Sequence, residues 1–258
     1  MEVSMNTNIR ITVADGVAEI ELFRREVKNA LNAATYDAVT KALLKADLDP
    51  GTRVVMIRGQ EDLFCSGNDL GEFLDPQGQG TRPALALMDA VQALRKPLIA
   101  AVGGAAIGLG TTILYHSDIV YATPDARFGM PFVPLGVCPE FGTSLLAPLF
   151  SGHRLASEAV LFGETFDVHR AREMGIVNQV VENANLIPFA RQRAMKLASL
   201  PSETVINAKA MLKERLYASM HGLFRQELRQ FDAMLTRSET QAGIKAFLER
   251  RRAAPANN

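Results

Sequence analysis

Tryptophan is absent from the 258 residues, and cysteine occurs only twice, as Cys65 and Cys138. Two cysteines cannot form the disulfide framework of a small secreted protein, so we expect a reducing, cytoplasmic location. Cysteine and histidine do not recur at the spacing of a zinc site, so no metal cofactor is expected.

The charges are balanced, with 28 Lys and Arg against 28 Asp and Glu and a formal net charge of +0. Without a basic excess, neither a nucleic acid nor a membrane surface is expected as a partner. No apolar run approaches the ~20 residues that span a bilayer. The start, Met1-Glu2-Val3-Ser4, lacks the basic and apolar regions of a signal peptide, so none is expected.

What the chain does have is enough hydrophobic residues, 48% of the total, for one sizeable α/β domain, alone or with a helical appendage. Alternating apolar residues on both sides of Asp15-Gly16 predict a β-hairpin. Helices and strands alternate from there, which favours a parallel sheet. From about Asn185 the pattern is only helical, and the composition shifts near Pro201. We therefore predict a core domain over residues 1–200 and a helical module over 201–258.

The stretch from Phe64 to Gly71 follows an apolar run, Val54 to Ile57, that is typical of a buried strand. Its Ser66-Gly67 turn lets the backbone approach a ligand closely, because glycine has no Cβ. A peptide N–H held at such a turn can point at an anionic oxygen. On its own, the pattern is also that of an ordinary turn between a strand and a helix.

A second glycine-rich stretch, Gly103 to Gly110, follows the apolar strand Leu98 to Val102 and leads into a helical segment, Thr111 to His116. A helix N-terminus favours negative charge, because its first N–H groups have no partner and the helix dipole is positive there. Two such backbone donors aimed at one oxygen form an oxyanion hole. The two stretches together therefore predict a site that stabilises a developing negative charge.

Eight motifs, taken in order, show a family resemblance. They are Lys28–Asn32, Phe64–Leu70, Ala105–Gly110, Asp118, Phe128-Gly129, Phe166–Val168, Ala171–Val177 and Gly243–Arg251. Each is weak alone, but their order resembles the crotonase superfamily, also called the enoyl-CoA hydratase/isomerase family. The resemblance covers nearly the whole chain.

The resemblance implies an α/β fold, the ClpP/crotonase-like spiral of ββα units with a C-terminal helical trimerisation module. It implies an acyl-CoA thioester as substrate, no separate cofactor because CoA is part of that substrate, and a homotrimer or hexamer. By position, the oxyanion donors fall on the backbone N–H groups of Asn68 and Leu109. Such donors stabilise an enolate more than the ground state, since charge moves onto the thioester oxygen during the reaction.

The resemblance also implies a set of substrate-binding positions. Arg24, Lys28 and Ser66 fall where the family holds the nucleotide part of CoA. Phe247 and Arg250 match positions that the family lends to a neighbouring subunit's CoA site. From the residues alone, Arg24 and Lys28 are equally well explained as solvated charges. The full predicted set is Arg24, Lys28, Ser66, Asn68, Leu70, Phe132, Phe247 and Arg250.

Hydratases of this family use two glutamates, and here those positions hold Thr112 and Phe132, neither of which transfers a proton as a carboxylate does. Glu140 instead matches the single catalytic glutamate of Δ3,Δ2-enoyl-CoA isomerases of the peroxisomal type. One base suffices for a 1,3-proton shift, and apolar neighbours raise the pKa and the basicity of a carboxylate. The helix that begins just after Glu140 has the opposite effect, since its N-terminus favours the anion.

Three hypotheses remain at this stage. The first is isomerisation of a 3-enoyl-CoA to the trans-2-enoyl-CoA in fatty acid metabolism, with Glu140 as base. The second is hydration, or another crotonase reaction such as thioester hydrolysis, with an acid supplied elsewhere. The third is an acyl-CoA-binding protein without catalysis, in which Glu140 is only a charge at a helix N-terminus. A dinucleotide-binding oxidoreductase is disfavoured, because Ile113 stands at the third glycine of a fingerprint begun at Gly108.

Overall fold

The computed structural model describes residues 2–5, 8–74, 81–220 and 222–253. The strands in these ranges are β1 Glu2–Met5, β2 Ile9–Ala14, β3 Val17–Leu22, β4 Val54–Arg58, β5 Leu63–Cys65, β6 Leu98–Val102, β7 Ala105–Ile107, β8 Ile119–Ala122, β9 Arg127–Gly129, β10 Phe166–Asp167 and β11 Gln179–Val180. The helices are α1 Ala33–Leu48, α2 Arg82–Ala93, α3 Leu109–Thr112, α4 Thr143–Ser151, α5 His153–Phe162, α6 Val168–Glu173, α7 Leu186–Ala198, α8 Ser202–Ser219, α9 Leu223–Leu235 and α10 Ser238–Ala253.

The strands form two sheets. One has the order β1-β2-β3-β4-β6-β8-β11 and the other the order β10-β9-β7-β5. In the consecutive pairs β4/β5, β6/β7 and β8/β9, the first strand joins the larger sheet and the second joins the smaller one. A helix follows each pair, so the chain winds as a spiral of ββα units. This α/β architecture confirms the predicted fold class.

The larger sheet is covered by helices on both faces. The predicted hairpin is present, with Ile9 paired to Leu22. Asn32 caps α1 by accepting a hydrogen bond from the Thr35 amide, a role for which asparagine is a preferred residue. The apolar face of α1 packs into the main core on one side of the sheet, and α7 packs on the other side.

The C-terminal helices belong to the same core as the α/β part. Phe224, Leu228 and Phe231 of α9 are buried in the main hydrophobic cluster, together with Ile244 of α10. Residues 254–258 of the predicted helical module lie outside the described ranges, and the boundary at 200/201 stays a prediction. Within those ranges, no helix is long and apolar enough to cross a membrane.

Candidate active site

The site begins where two neighbouring strands of the smaller sheet end. Strands β5 and β7 are parallel, with Cys65 opposite Ala106. The carboxyl ends of parallel strands meet at one edge of a sheet, so the two glycine-rich exits predicted from the sequence lie side by side. A Cβ on Gly67 would stand 2.6 Å from the Ile107 carbonyl oxygen and 3.4 Å from the Leu109 nitrogen. Together with a φ of +85°, this contact requires glycine at position 67.

The two predicted donor amides have no hydrogen-bond partner among the described residues. Leu109 is the first residue of α3, where an amide has no carbonyl partner within the helix. The bridge between Leu31 and Asn68 uses the Gly67 carbonyl and the Asp69 amide, which leaves out the Asn68 amide itself. Neither amide donates a hydrogen bond to another residue that the structure describes. Both therefore remain available to a ligand oxygen.

A cavity of about 260 Å³ opens beside these strand exits. Gly67 and Gly108 form part of its wall, directly before the two donor amides. Six of the predicted substrate-binding residues line it, namely Lys28, Ser66, Asn68, Leu70, Phe132 and Phe247. The rest of its wall is largely apolar and includes Phe73, Leu135, Val137, Phe231, Leu235 and Ile244.

Lys28 is the charged group at this cavity. Its side chain is exposed, and within the described part of the chain it forms no ion pair. Its carbonyl oxygen accepts the Ser66 amide, which joins the Lys28 loop to the glycine-rich turn. An unpaired ammonium group beside an apolar cavity suits a phosphate group of a ligand.

Arg24 and Arg250 do not line the cavity. The guanidinium group of Arg24 donates a hydrogen bond to the Ala30 carbonyl and lies 3.6 Å from the Asp69 carboxylate. These contacts stabilise the loop that contains Lys28. Arg250 is exposed on α10, one turn beyond Phe247. Phe247 lines the cavity of its own chain, whereas the resemblance implies a neighbouring subunit's site. The CoA-binding roles of the two arginines stay predictions.

Glu140 is almost fully buried, with 1% of its surface exposed. The Thr112 hydroxyl donates to its Oε1 atom over 3.3 Å. Burial, and secondly the negative charge of Glu227, raise the pKa of Glu140 to about 8, and the Thr112 hydrogen bond lowers it in part. Because Thr112 ends the short helix that Leu109 begins, the carboxylate lies against the same helix turn as one donor amide.

Glu140 does not line the main cavity. Glu140 lines a small adjoining cavity, and Asn68 and Phe73 line both. Tyr36 also lines the small cavity, and its hydroxyl donates to the side-chain oxygen of Asn68. A carboxylate with a raised pKa therefore lies behind one of the two donor residues.

The amides at the start of α4 have a carboxylate partner other than Glu140. The first amides of α4 are bound by Glu227, which accepts the Gly142 amide at 2.6 Å and the Ser144 amide at 3.2 Å. The hydrogen bond of the Glu140 carboxylate goes to Thr112 instead. Glu227, not Glu140, thus caps α4.

Sequence reasoning missed Tyr36 and Glu227. Tyr36 lies on the buried, largely apolar face of α1, and nothing local reveals that its hydroxyl reaches Asn68. For Glu227 there is a signal, because it is a carboxylate on the apolar face of α9 between Phe224 and Leu228. A charge on a buried helix face requires a polar partner, which the sequence does not identify.

Comparisons with known proteins agree with this geometry. Residues 12–256 match the sequence model of the family described as Enoyl-CoA hydratase/isomerase. The 2,3-dehydroadipyl-CoA hydratase of Escherichia coli is 32% identical over 236 residues, which are 90% of this chain and 92% of that protein. Human enoyl-CoA delta isomerase 2 is 29% identical over 93% of this chain and 63% of its own length.

The structure of Pseudomonas aeruginosa OdaA superposes with a TM-score of 0.91 at 35% identity, covering 94% of this chain and 99% of that one. The family match extends over nearly the whole chain, including both strand exits and the C-terminal helices. The chain therefore belongs to the enoyl-CoA hydratase/isomerase family of the crotonase superfamily, whose members process acyl-CoA thioesters.

Proposed function

We propose that this protein is a Δ3,Δ2-enoyl-CoA isomerase that uses Glu140 as its single base. The observation that supports this most is the position of the Glu140 carboxylate. It is bound to Thr112, which stands where the hydratases of the family carry one of their two glutamates. The second hydratase position holds Phe132, a buried wall residue of the cavity that cannot hold a water molecule by hydrogen bonds.

The reaction follows from these groups. The thioester oxygen accepts hydrogen bonds from the Asn68 and Leu109 amides, which increases the acidity of the C2 protons. Glu140 reaches C2 of the acyl group from the small cavity, which adjoins the main one at Asn68 and Phe73. It removes a proton from C2, and the electron pair of that bond spreads over C2, C3, C4 and the thioester oxygen. The same carboxyl group returns the proton to C4, which leaves the double bond between C2 and C3. No separate cofactor is needed, because one proton moves between two carbons of one molecule.

The test is a direct comparison of 3-hexenoyl-CoA isomerisation with crotonyl-CoA hydration by the same preparation. We expect isomerisation to be the faster reaction and Glu140→Gln to lose most of it while still binding acyl-CoA. Undiminished isomerisation by Glu140→Gln would eliminate Glu140 as the base. Tight acyl-CoA binding without turnover of either substrate would favour the third hypothesis, a binding protein.

Hydration is the second candidate, because most of the relatives compared carry hydratase names. It requires a second acid–base group near Glu140 that can orient a water molecule. Useful rates of crotonyl-CoA hydration, lost in Glu140→Gln, would favour it over isomerisation.

We further propose a cytoplasmic homotrimer or dimer of trimers. Large apolar side chains are exposed on α5 and α8, among them Leu161, Phe162, Met211 and Leu212. Exposed apolar groups of this size are typical of surfaces that are covered by another chain. Light scattering during size-exclusion chromatography measures the assembly mass directly, and a monomer would contradict this proposal.

A further inference from the structure

One part of the cavity wall, the far end, is uniformly apolar. It consists of Phe73, Leu135, Val137, Phe231, Leu235 and Ile244. The polar side chains among the described lining residues, Lys28, Ser66 and Asn68, lie on the strand-exit side instead. A group that reaches the far end therefore meets hydrocarbon and aromatic surface.

The size of the cavity limits what can enter. Its volume is about 260 Å³ in all, which the thioester end shares, so a short acyl chain suits it better than a long one. A charged chain terminus would lose its hydration there without gaining an ionic or hydrogen-bonding partner from the described residues of that wall, which is strongly unfavourable.

We propose that this site selects CoA thioesters with an uncharged hydrocarbon acyl group and discriminates against the dicarboxylyl thioesters of the same length. The inference deepens the proposed function and rests on it for the location of the acyl group. The selection is made by Phe231 and Leu235 of α9 and by Ile244 of α10, so the C-terminal helices determine the acyl specificity.

The experiment measures binding of two saturated ligands, hexanoyl-CoA and adipoyl-CoA, by isothermal titration calorimetry. They differ only in the terminal carboxylate and undergo no isomerisation, so the result does not depend on turnover. We expect hexanoyl-CoA to bind at least about 30-fold more tightly. Equal affinities, or no binding of either ligand, would overturn the inference. Selective hexanoyl-CoA binding without isomerase activity would overturn the proposed function alone.

A substitution tests whether the far end of the cavity causes the preference for hexanoyl-CoA over adipoyl-CoA. Leu235→Arg adds a cation there, and we expect it to reduce this preference at least tenfold. Leu235→Met is the volume-matched control, which should keep the preference. Should Leu235→Arg fail to fold, Phe247→Arg adds the same charge at a half-exposed lining position. An unchanged preference in the folded arginine variant would contradict the assignment.

A second, independent observation concerns the turn after Glu140. Phe141 and Gly142 have φ values of +57° and +71°, and for phenylalanine this conformation is strained. Hydrogen bonds hold both residues of the turn. The His116 Nε2 atom lies 2.8 Å from the Phe141 carbonyl, and Glu227 accepts the Gly142 amide. Burial lowers the pKa of His116 to about 3, so its ring is neutral and Nε2–H donates.

We infer that Glu227 is a positioning residue that holds the turn presenting Glu140. Its charge acts on Glu140 as well, since it disfavours a second anion close by. Other titratable groups face Glu140 too, so the contribution of Glu227 has to be isolated by substitution. These groups are Tyr36, Cys65, Asp69, Glu72 and Cys138.

Glu227→Gln removes the charge and part of the acceptor capacity. We expect kcat to fall about tenfold with KM changed less than threefold, and the pKa of Glu140 to fall. The pKa is read from the pH profile of kcat/KM and, independently of activity, from NMR titration of the ¹³C-labelled glutamate carboxyl. Ser144→Ala is the matched control, because it deletes one hydrogen bond to Glu227 and keeps the charge.

A purely structural role would lower stability and leave the pKa of Glu140 where it is, and that outcome would overturn the inference. Should Glu227→Gln not fold, Glu227→Asp keeps the charge on a shorter side chain. We expect that variant to retain the alkaline pKa and lose kcat. An unchanged kcat in Glu227→Asp would equally contradict the positioning role.

Discussion

At the scale of single residues, the protonation state of Glu140 controls the proposed chemistry. A base must be deprotonated to act, and the pKa of Glu140 is raised to about 8, mainly by burial. We expect log kcat/KM for 3-hexenoyl-CoA to rise with a slope of one as the pH increases and to level off above about pH 8. Glu140→Gln is expected to lose this dependence together with roughly 10²–10⁴-fold of the rate. A flat wild-type profile between pH 6 and 9 would argue against a buried carboxyl base.

Asn68 combines a backbone and a side-chain role, and two substitutions separate them. Asn68→Pro removes an amide that serves no other hydrogen bond, so we expect a loss of roughly 10²–10³ in kcat. Asn68→Ala keeps the amide and deletes the acceptor of the Tyr36 hydroxyl, for which we expect a loss of about tenfold or less. Steady-state kinetics measures both, and Tyr36→Phe should resemble the alanine variant. Equal damage in the alanine and proline variants would mean that the side chain matters as much as the amide.

At the scale of elements, the site depends on how closely α3 packs on β5. A Cβ on Gly110 would lie 2.4 Å from the Cys65 carbonyl oxygen, so the helix and the strand would have to separate. We expect Gly110→Ala to lower the free energy of unfolding by about 1–3 kcal/mol. We also expect it to reduce kcat, since the two donor amides move apart.

The matched control for that element is Gly243→Ala on α10, where the new Cβ meets no atom within 4 Å. Because alanine favours the helix, this change should be neutral or stabilise by about 0.5–1 kcal/mol, without effect on kcat. Urea unfolding and steady-state kinetics on both variants give the comparison. A Gly110→Ala protein as active and stable as Gly243→Ala would show that the packing is more tolerant than the contact indicates.

At the scale of the whole molecule, Glu140 makes stability depend on pH. Its folded-state pKa of about 8 lies above the ordinary value of 4.5. Between these values the unfolded chain ionises while the folded one stays protonated, so folding loses stability as the pH rises through this range. Glu140→Gln removes the effect, and we expect it to be more stable than the wild type at pH 8 by on the order of 2 kcal/mol. The difference should nearly vanish at pH 5, and urea unfolding at the two pH values measures it.

Much of the fold follows from local patterns, and the reasons are physical. The Asn32 cap, the buried face of α1 and the strands from Val54 and Leu98 each depend on a few neighbouring residues. The order of the motifs carries the family resemblance, and the resemblance implied the ββα spiral. The same resemblance assigned the donors to Leu109 and Asn68, whereas the residues alone indicated only two glycine-rich strand exits.

Other parts of the site were not predictable, because they join distant segments through single contacts. The hydrogen bond from Gly142 to Glu227 spans 85 positions, and that from Tyr36 to Asn68 spans 32. Ser238-x-x-Gln241 also has the sequence pattern of a capping box, and the structure contradicts that interpretation. The first α10 amide bond runs from Gln241 to the Arg237 carbonyl, and the Gln241 side chain donates to Phe73 and Leu235. The partner of a polar side chain depends on the tertiary fold, and the periodicity of the sequence does not indicate it.

The sequence by itself thus determined the two glycine-rich turns, since each depends on residues close together in the chain. Through the family resemblance it also predicted the donor amides of Asn68 and Leu109 and the base Glu140. Only the tertiary structure decided that the amides stay free of other partners and that Glu140 is buried against Thr112. It also decided that α9 and α10 close the apolar end of the cavity. Those features arise from packing between elements far apart in the chain, where burial sets the pKa and distant side chains set the shape.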